Sequence, residues 1–119
     1  MLIFHIAEPD DWQQARADGA YTTSTRGRTL AEEGFLHCSR FEQVATVLNF
    51  VYADVAGPLS LLVVDTEKLD SPLQLDEVPD AGDVYPHIYG PLNVSAVVDE
   101  LPLSRNTSGV WQLPPMPTT

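Results

Sequence analysis

Apolar side chains recur along this chain with two different periods, and the change from one to the other marks out its elements. Leu2-Ile3-Phe4-His5-Ile6 is apolar apart from His5 and rich in β-branched and aromatic residues, which predicts a first strand. Glu8-Pro9-Asp10-Asp11 then carries the signals of a helix start, and Gly19 those of its C-terminal cap. Ala20 to Thr23 has strand propensity, Ser24 to Arg28 is polar and broken by Gly27, and Thr29 to Glu33 suits one helical turn that Gly34 ends. From Arg40 to Ala53 the apolar positions Phe41, Val44, Ala45, Leu48, Val51 and Tyr52 return at intervals of three and four, the stripe of an amphipathic helix. Leu59 to Asp65 is a nearly continuous apolar run bounded by Pro58, the pattern of a strand buried on both faces. Shorter strands are predicted at Leu73 to Val78 and Ala96 to Leu101. An edge strand at Val110 to Leu113 lies within an otherwise extended, proline-rich tail.

Two stretches do not reduce to periodicity. Gly34-Phe35-Leu36-His37-Cys38-Ser39 reads as a buried strand feeding the long helix, with Ser39 and Glu42 spaced as a capping box. This arrangement puts His37 at the end of a strand beside an open helix N-terminus, a place suited to an anion. Ser39 is explained by capping alone, and His37 could equally be a hydrogen-bonded core residue. Tyr85-Pro86-His87-Ile88-Tyr89-Gly90-Pro91-Leu92 is dense in turn formers yet carries two tyrosines and a histidine. Its prolines predict a rigid, shaped loop, with Tyr85-Pro86 a candidate cis bond. Tyr89 either braces that loop through its hydroxyl or faces a ligand.

Composition narrows the chemistry. The 119 residues suit one domain able to bury a core without metals or disulfides, and a formal charge of −11 argues against nucleic acid or an anionic membrane as partner. A small-molecule or nucleotide ligand fits better, and oligomeric state is left open. No apolar run is long enough to cross a bilayer and Met1-Leu2-Ile3-Phe4-His5 lacks a basic-then-apolar leader, so a cytoplasmic protein is expected. The single Cys38 gives no disulfide framework and no cysteine-rich zinc site. Strand alternation turns it away from His37, against a thiol nucleophile. The spacing of His5, His37 and His87 does not signal a metal, and none is expected. Half of the six basic residues, Arg26, Arg28 and Arg40, flank the central stretch. They form either a cationic island or pairs with Glu32, Glu33 or Glu42.

Taken together, Gly34-Phe35-Leu36-His37-Cys38-Ser39 with Gln43, and Pro86-His87-Ile88-Tyr89-Gly90-Pro91-Leu92, resemble the signature pair of a bacterial family, domain of unknown function 952. Ile3-Phe4-His5-Ile6, Asp11-Trp12 and Leu61 to Asp65 with Leu69 extend the likeness over roughly residues 2 to 101. The resemblance implies an α+β domain over residues 1–103, a split mixed sheet of the ADP-ribosyltransferase-like type with flanking helices, followed by a tail over residues 104–119. It implies a cleft for NAD or a related nucleotide and ADP-ribose transfer or hydrolysis on a small acceptor; a non-catalytic nucleotide or small-anion binding module is the alternative. Among enzymes, the motif is most similar to RNA 2'-phosphotransferases. On that likeness His37, His5 and Ser39 form the catalytic set and Arg26, His37, His87 and Tyr89 contact the nucleotide. The protein-modifying transferases of this type also use a late glutamate, for which Asp76 or Glu77 would be the nearest candidates.

Overall fold

A computed structural model describes residues 1–115; Met116 to Thr119, with Pro117 of the expected tail, lie outside the described residues. In chain order the elements are β1 (Leu2–Ala7), α1 (Pro9–Asp18), β2 (Ala20–Tyr21), β3 (Thr23–Thr25), β4 (Arg28–Thr29), α2 (Leu30–Glu33), β5 (Leu36–His37) and α3 (Phe41–Val51). They continue with β6 (Leu59–Asp65), β7 (Leu73–Val78), β8 (Asp83–Ile88), β9 (Leu92–Asn93), β10 (Val97–Arg105) and β11 (Trp111–Gln112). Single 3₁₀ turns follow β6 and β9. This is an α+β domain whose strands divide into a main sheet, β1-β6-β10-β11, and a second sheet, β5-β8-β7, with two small ladders, β2-β9 and β3-β4.

Alternation along the main sheet sorts the core into two layers. Ile3 and Ala7 of β1 and Leu62 and Val64 of β6 point to one side, where Trp12 and Ala15 of α1, Tyr21, Leu36 and Ile88 complete the packing. Phe4 and Ile6 of β1 and Leu59, Leu61 and Val63 of β6 point to the other, against Val44 and Leu48 of α3, Leu103 and Trp111. The strand expected to be buried on both faces is therefore the one flanked by β1 and β10. β10 runs through Arg105 and β11 pairs with its end, so Trp111 is buried.

The structure departs from expectation in four places. A mixed sheet was expected, but the ladders among the described residues are antiparallel. Each strand re-enters beside its neighbour from the far end, as β6 does after the long excursion that builds α1 to α3. The segment expected to be a loop from Tyr85 onward is largely β8, the middle strand of the second sheet. Pro86 has no N–H to give, its carbonyl accepts from Cys38 N–H at 3.1 Å just past the end of β5, and no described peptide bond is cis. The polar stretch from Ser24 is a hairpin, β3-β4, whose tip places Arg26 at φ 46 and Gly27 at φ 83.

Finally, Ser39 does not cap α3. Its backbone N–H and C=O both bond Phe4, at 2.8 Å each, and this bridge joins the two sheets. The helix begins one residue later, where Gln43 Oε1 accepts from Arg40 N–H at 2.9 Å. Gln43 is buried and its Nε2 donates to Asp83 Oδ2 (2.9 Å) and to the Val84 carbonyl (2.8 Å), tying the start of α3 to β8. Truncating it removes the side-chain partner of the Arg40 N–H and of the Val84 carbonyl, while Asp83 keeps Arg40. Gln43→Ala is expected to cost about 1–3 kcal/mol in urea unfolding; a loss below about 0.5 kcal/mol would show that the tie does not matter.

Candidate functional site

Where the two sheets part, a cleft of about 850 Å³ opens between the β3-β4 hairpin, β5, the loop after β7, β8 and the flank of α3. Phe4, Val47, Phe50, Val51, Tyr52 and Tyr85 make much of its wall apolar and aromatic. Its size lies within the range of small-ligand sites, roughly 300–1,000 Å³. Phe50, on α3 at this wall, is 85% exposed.

His37 is the open histidine. β5 alternates so that Leu36 and Cys38 face the core while the His37 side chain is 42% exposed on the cleft. Ser24 Oγ donates to the Phe35 carbonyl (2.9 Å) and accepts from His37 N–H (3.3 Å), pinning this turn of chain to the hairpin. α2 supports it from the other side. A Thr29–Glu32 capping box starts this helix and Gly34 at φ 88 ends it, leaving Glu33 Oε1 3.6 Å from His37 Nε2. Partial burial, followed by the neighbouring His87, lowers the His37 pKa, while Glu33 opposes the shift.

His87 stands beside His37, ring centroids 5.1 Å apart and nearly perpendicular, and is buried. Antiparallel pairing of β7 and β8 puts Asp76 opposite Tyr85, so His87, two residues on, is its diagonal neighbour on the same face. Asp76 Oδ2 accepts from His87 Nδ1–H at 2.8 Å and from the Tyr89 hydroxyl. Those bonds, Tyr89 first, lower the Asp76 pKa. Phe35 stacks on the His87 ring at 4.2 Å, with His37 and Tyr89 against its other edges.

Of the remaining sequence candidates, His5, Ser39 and Arg26 border the cleft and Tyr89 does not. His5 reaches the floor of the cleft but is 2% exposed, and both ring nitrogens are used: Nδ1–H donates to the His37 carbonyl (2.6 Å) and Nε2 accepts from the Tyr21 hydroxyl (3.2 Å). Burial lowers its pKa to about 4, so it is a neutral core histidine that fixes the strand carrying His37. Ser39 is only 6% exposed, held by the bridge to Phe4. Tyr89 does not line the cleft; it braces Asp76 from behind. Cys38 packs in the core, where burial pushes its thiol pKa up and keeps it protonated. Neither Asp76 nor Glu77 lines the cleft.

The three arginines make separate ion pairs rather than an island. Arg26 donates to Asp54 (3.0 Å) and to the Val51 carbonyl (3.1 Å), Arg28 lies 3.9 Å from Glu33, and Arg40 pairs with Asp83 (3.2 Å) and Glu42 (3.5 Å). Arg26 and Arg28 line the cleft and Arg40 does not. Sequence reading gave no site role to Glu33, Phe35 or Ser24, and placed Arg28 only in a candidate cationic island. The period-two pattern that turns Cys38 inward also turns Phe35 outward with His37, so Phe35 was within reach of that argument; the others depend on how the hairpin and α2 fold back.

Comparison with known proteins points one way. The crystal structure of protein CC0527 from Caulobacter crescentus is similar with 31% identity over 94% of each chain and a TM-score of 0.80. The solution NMR structure of CC0527 is 33% identical over 92% of this chain and 90% of that one, with a TM-score of 0.73. No curated protein matches. Residues 6–100 match the family described as Protein of unknown function (DUF952), and with the likeness to CC0527 this shows that the chain belongs to the DUF952 family.

Proposed function

We propose that the cleft binds a nucleotide of the NAD type, with His37 as its main polar contact, and that the ADP-ribosyl unit is transferred to a small acceptor or hydrolysed there. The observation that carries this reading is a half-open imidazole on the wall of a nucleotide-sized, aromatic-lined cleft. The residues present fit such a ligand. Tyr85 and Phe50 offer flat faces for a base. Arg28, 70% exposed and loosely paired, is free to turn toward a phosphate; Arg26 would first have to leave Asp54. The split pair of sheets also supports the ADP-ribosyltransferase-like type as the finer description of the fold.

Bound in the cleft, NAD would supply a glycosidic bond to a leaving group that departs without needing a strong nucleophile. The protein's own task is then positioning and placement of charge. Glu33 Oε1, 3.6 Å from Nε2, holds the imidazole in place, His37 presents its half-exposed ring to the nucleotide, and the apolar wall excludes water from the ring faces. His5 takes no direct part and fixes the His37 carbonyl from below. That withdrawal of His5 favours a second reading, a binding module without turnover.

Release of nicotinamide separates the two. The enzyme reading expects free nicotinamide to accumulate with native protein, and ADP-ribose affinity to drop about tenfold in His37→Ala, about 1.4 kcal/mol. Retention of ADP-ribose with no nicotinamide release supports the binding module. Absence of both from a folded native protein would remove the nucleotide reading.

A further inference from the structure

We propose that His87 is the general base of this cleft, with Asp76 and Tyr89 as its positioning residues. The proposal takes its substrate from the nucleotide reading but its geometry from the second sheet alone. A carboxylate only accepts, so the 2.8 Å bond that His87 donates to Asp76 Oδ2 puts a proton on Nδ1, and in the neutral imidazole this leaves the Nε2 lone pair free. Nε2 has no hydrogen-bond partner among the described residues, and His87 lines the cleft. Three contacts hold the ring: the carboxylate, the stacked face of Phe35 at 4.2 Å and the edge of His37 at 5.1 Å. Tyr89 in turn holds the same carboxylate oxygen. The titratable groups round His87 are Asp76 from β7, His37 from β5 and Tyr89 after β8, with Glu33 of α2 behind His37.

In the step this implies, a water or acceptor hydroxyl in the cleft gives its proton to His87 Nε2 as its oxygen bonds to the anomeric carbon. The carbon–nitrogen bond to the pyridine ring breaks, and its electron pair neutralises the charge on the ring nitrogen. The proton rests on His87, held against Asp76, until it passes to solvent.

The test is NAD hydrolysis with kcat and KM separated in native protein, His87→Gln, Asp76→Asn and Asp76→Glu. General-base catalysis predicts a kcat loss of about 10²–10⁴-fold in His87→Gln with KM and ADP-ribose binding nearly unchanged. Asp76→Asn should lose kcat as well, with partial rescue in Asp76→Glu, which a merely structural bond would not require. A kcat within about threefold of native in His87→Gln, or native protein that binds ADP-ribose yet releases no nicotinamide, overturns the proposal. Long-range ¹H–¹⁵N NMR needs no nucleotide and expects the Nδ1–H tautomer at His87 in native protein and mixed tautomers in Asp76→Ala. If NAD does not bind, the nucleotide reading falls and this spectrum decides the fate of the base: a protonated Nε2 in native protein overturns it.

Discussion

Lowering the pH from 6.5 to 4 is expected to remove about 3 kcal/mol of stability through His5 alone. The imidazole is buried on the Tyr21 side of β1, and burial lowers its pKa from the ordinary 6.5 to about 4, with its bond to the His37 carbonyl acting in the opposite direction. The unfolded chain therefore takes up a proton at His5 through this window while the folded chain does not. Stability is full above pH 6.5, falls with pH as the unfolded state gains protons, and levels off below pH 4. A tenfold difference in proton affinity between the folded and unfolded chains corresponds to about 1.4 kcal/mol, which sets the size of the effect. His37 adds a smaller slope of the same sign, reduced by its exposure. Asp76 and Asp83, whose pKa values are lowered, lose their contribution only at more acid pH. Urea unfolding at half-unit pH steps checks this, with His5→Gln as the control in which most of the slope should vanish. An equal slope in both proteins would mean that His5 is not the group responsible.

Trp111→Ala is expected to cost about 3–5 kcal/mol, as large an effect as any core truncation in the chain. Trp111 is 4% exposed on the α3 side of the main sheet; truncation removes two interactions of its side chain and keeps one of its backbone. Its Nε1–H donates to the Tyr52 carbonyl at 2.9 Å, the Arg105 guanidinium lies 4.2 Å from the ring centroid, and its backbone N–H bonds Asn49 Oδ1 at 3.1 Å. Arg105 also donates to the carbonyls of Ala53 (3.0 Å) and Val55 (2.5 Å). Residues 105 and 111 thus satisfy the carbonyl of Tyr52 at the C-cap of α3, a need that helix C-termini share, and two carbonyls of the loop that follows. Because Tyr52 lines the cleft, the loss should reach the site as well. A destabilisation below about 1 kcal/mol by urea unfolding would show the segment after β10 to be dispensable.

Trp111 also illustrates what a sequence conceals. The pattern Val110 to Leu113 suggested an edge strand, and one forms at Trp111–Gln112, but nothing local says that the tryptophan closes the core over α3. Elements whose pattern is local were legible. β1, β6 and α3 declare themselves by period, and α1 and α2 end at Gly19 and Gly34, both in the left-handed region at φ 86 and 88. β8 was not legible, because Pro86 and its neighbours carry turn chemistry that pairing with both β5 and β7 overrides. The capping serine failed for a related reason. Two frames one residue apart, Ser39 with Glu42 and Arg40 with Gln43, compete for the same helix start, and the bridge from Ser39 to Phe4 decides between them.

The site divides along the same line. His37 and His87 were both singled out by sequence, and the structure brings their rings together. Their partners Glu33 and Asp76 depend on a helical turn folding back and on the register of β7 against β8. His5 lay open to a different reading from the start. It is the one polar member of an apolar strand, and alternation turns it to the same side as Ile3 and Ala7, into the core.

The measurement that bears most directly on the account is a thermal-shift titration with NAD, ADP-ribose and an unrelated nucleotide, on native protein and on His37→Ala. At about a hundred times the dissociation constant a ligand adds about 2.7 kcal/mol to the native state. The account predicts a stabilisation of that order by ADP-ribose or NAD in native protein, and a strongly reduced one at the same concentration in His37→Ala. Equal shifts in the two proteins, or none with any nucleotide, would contradict it.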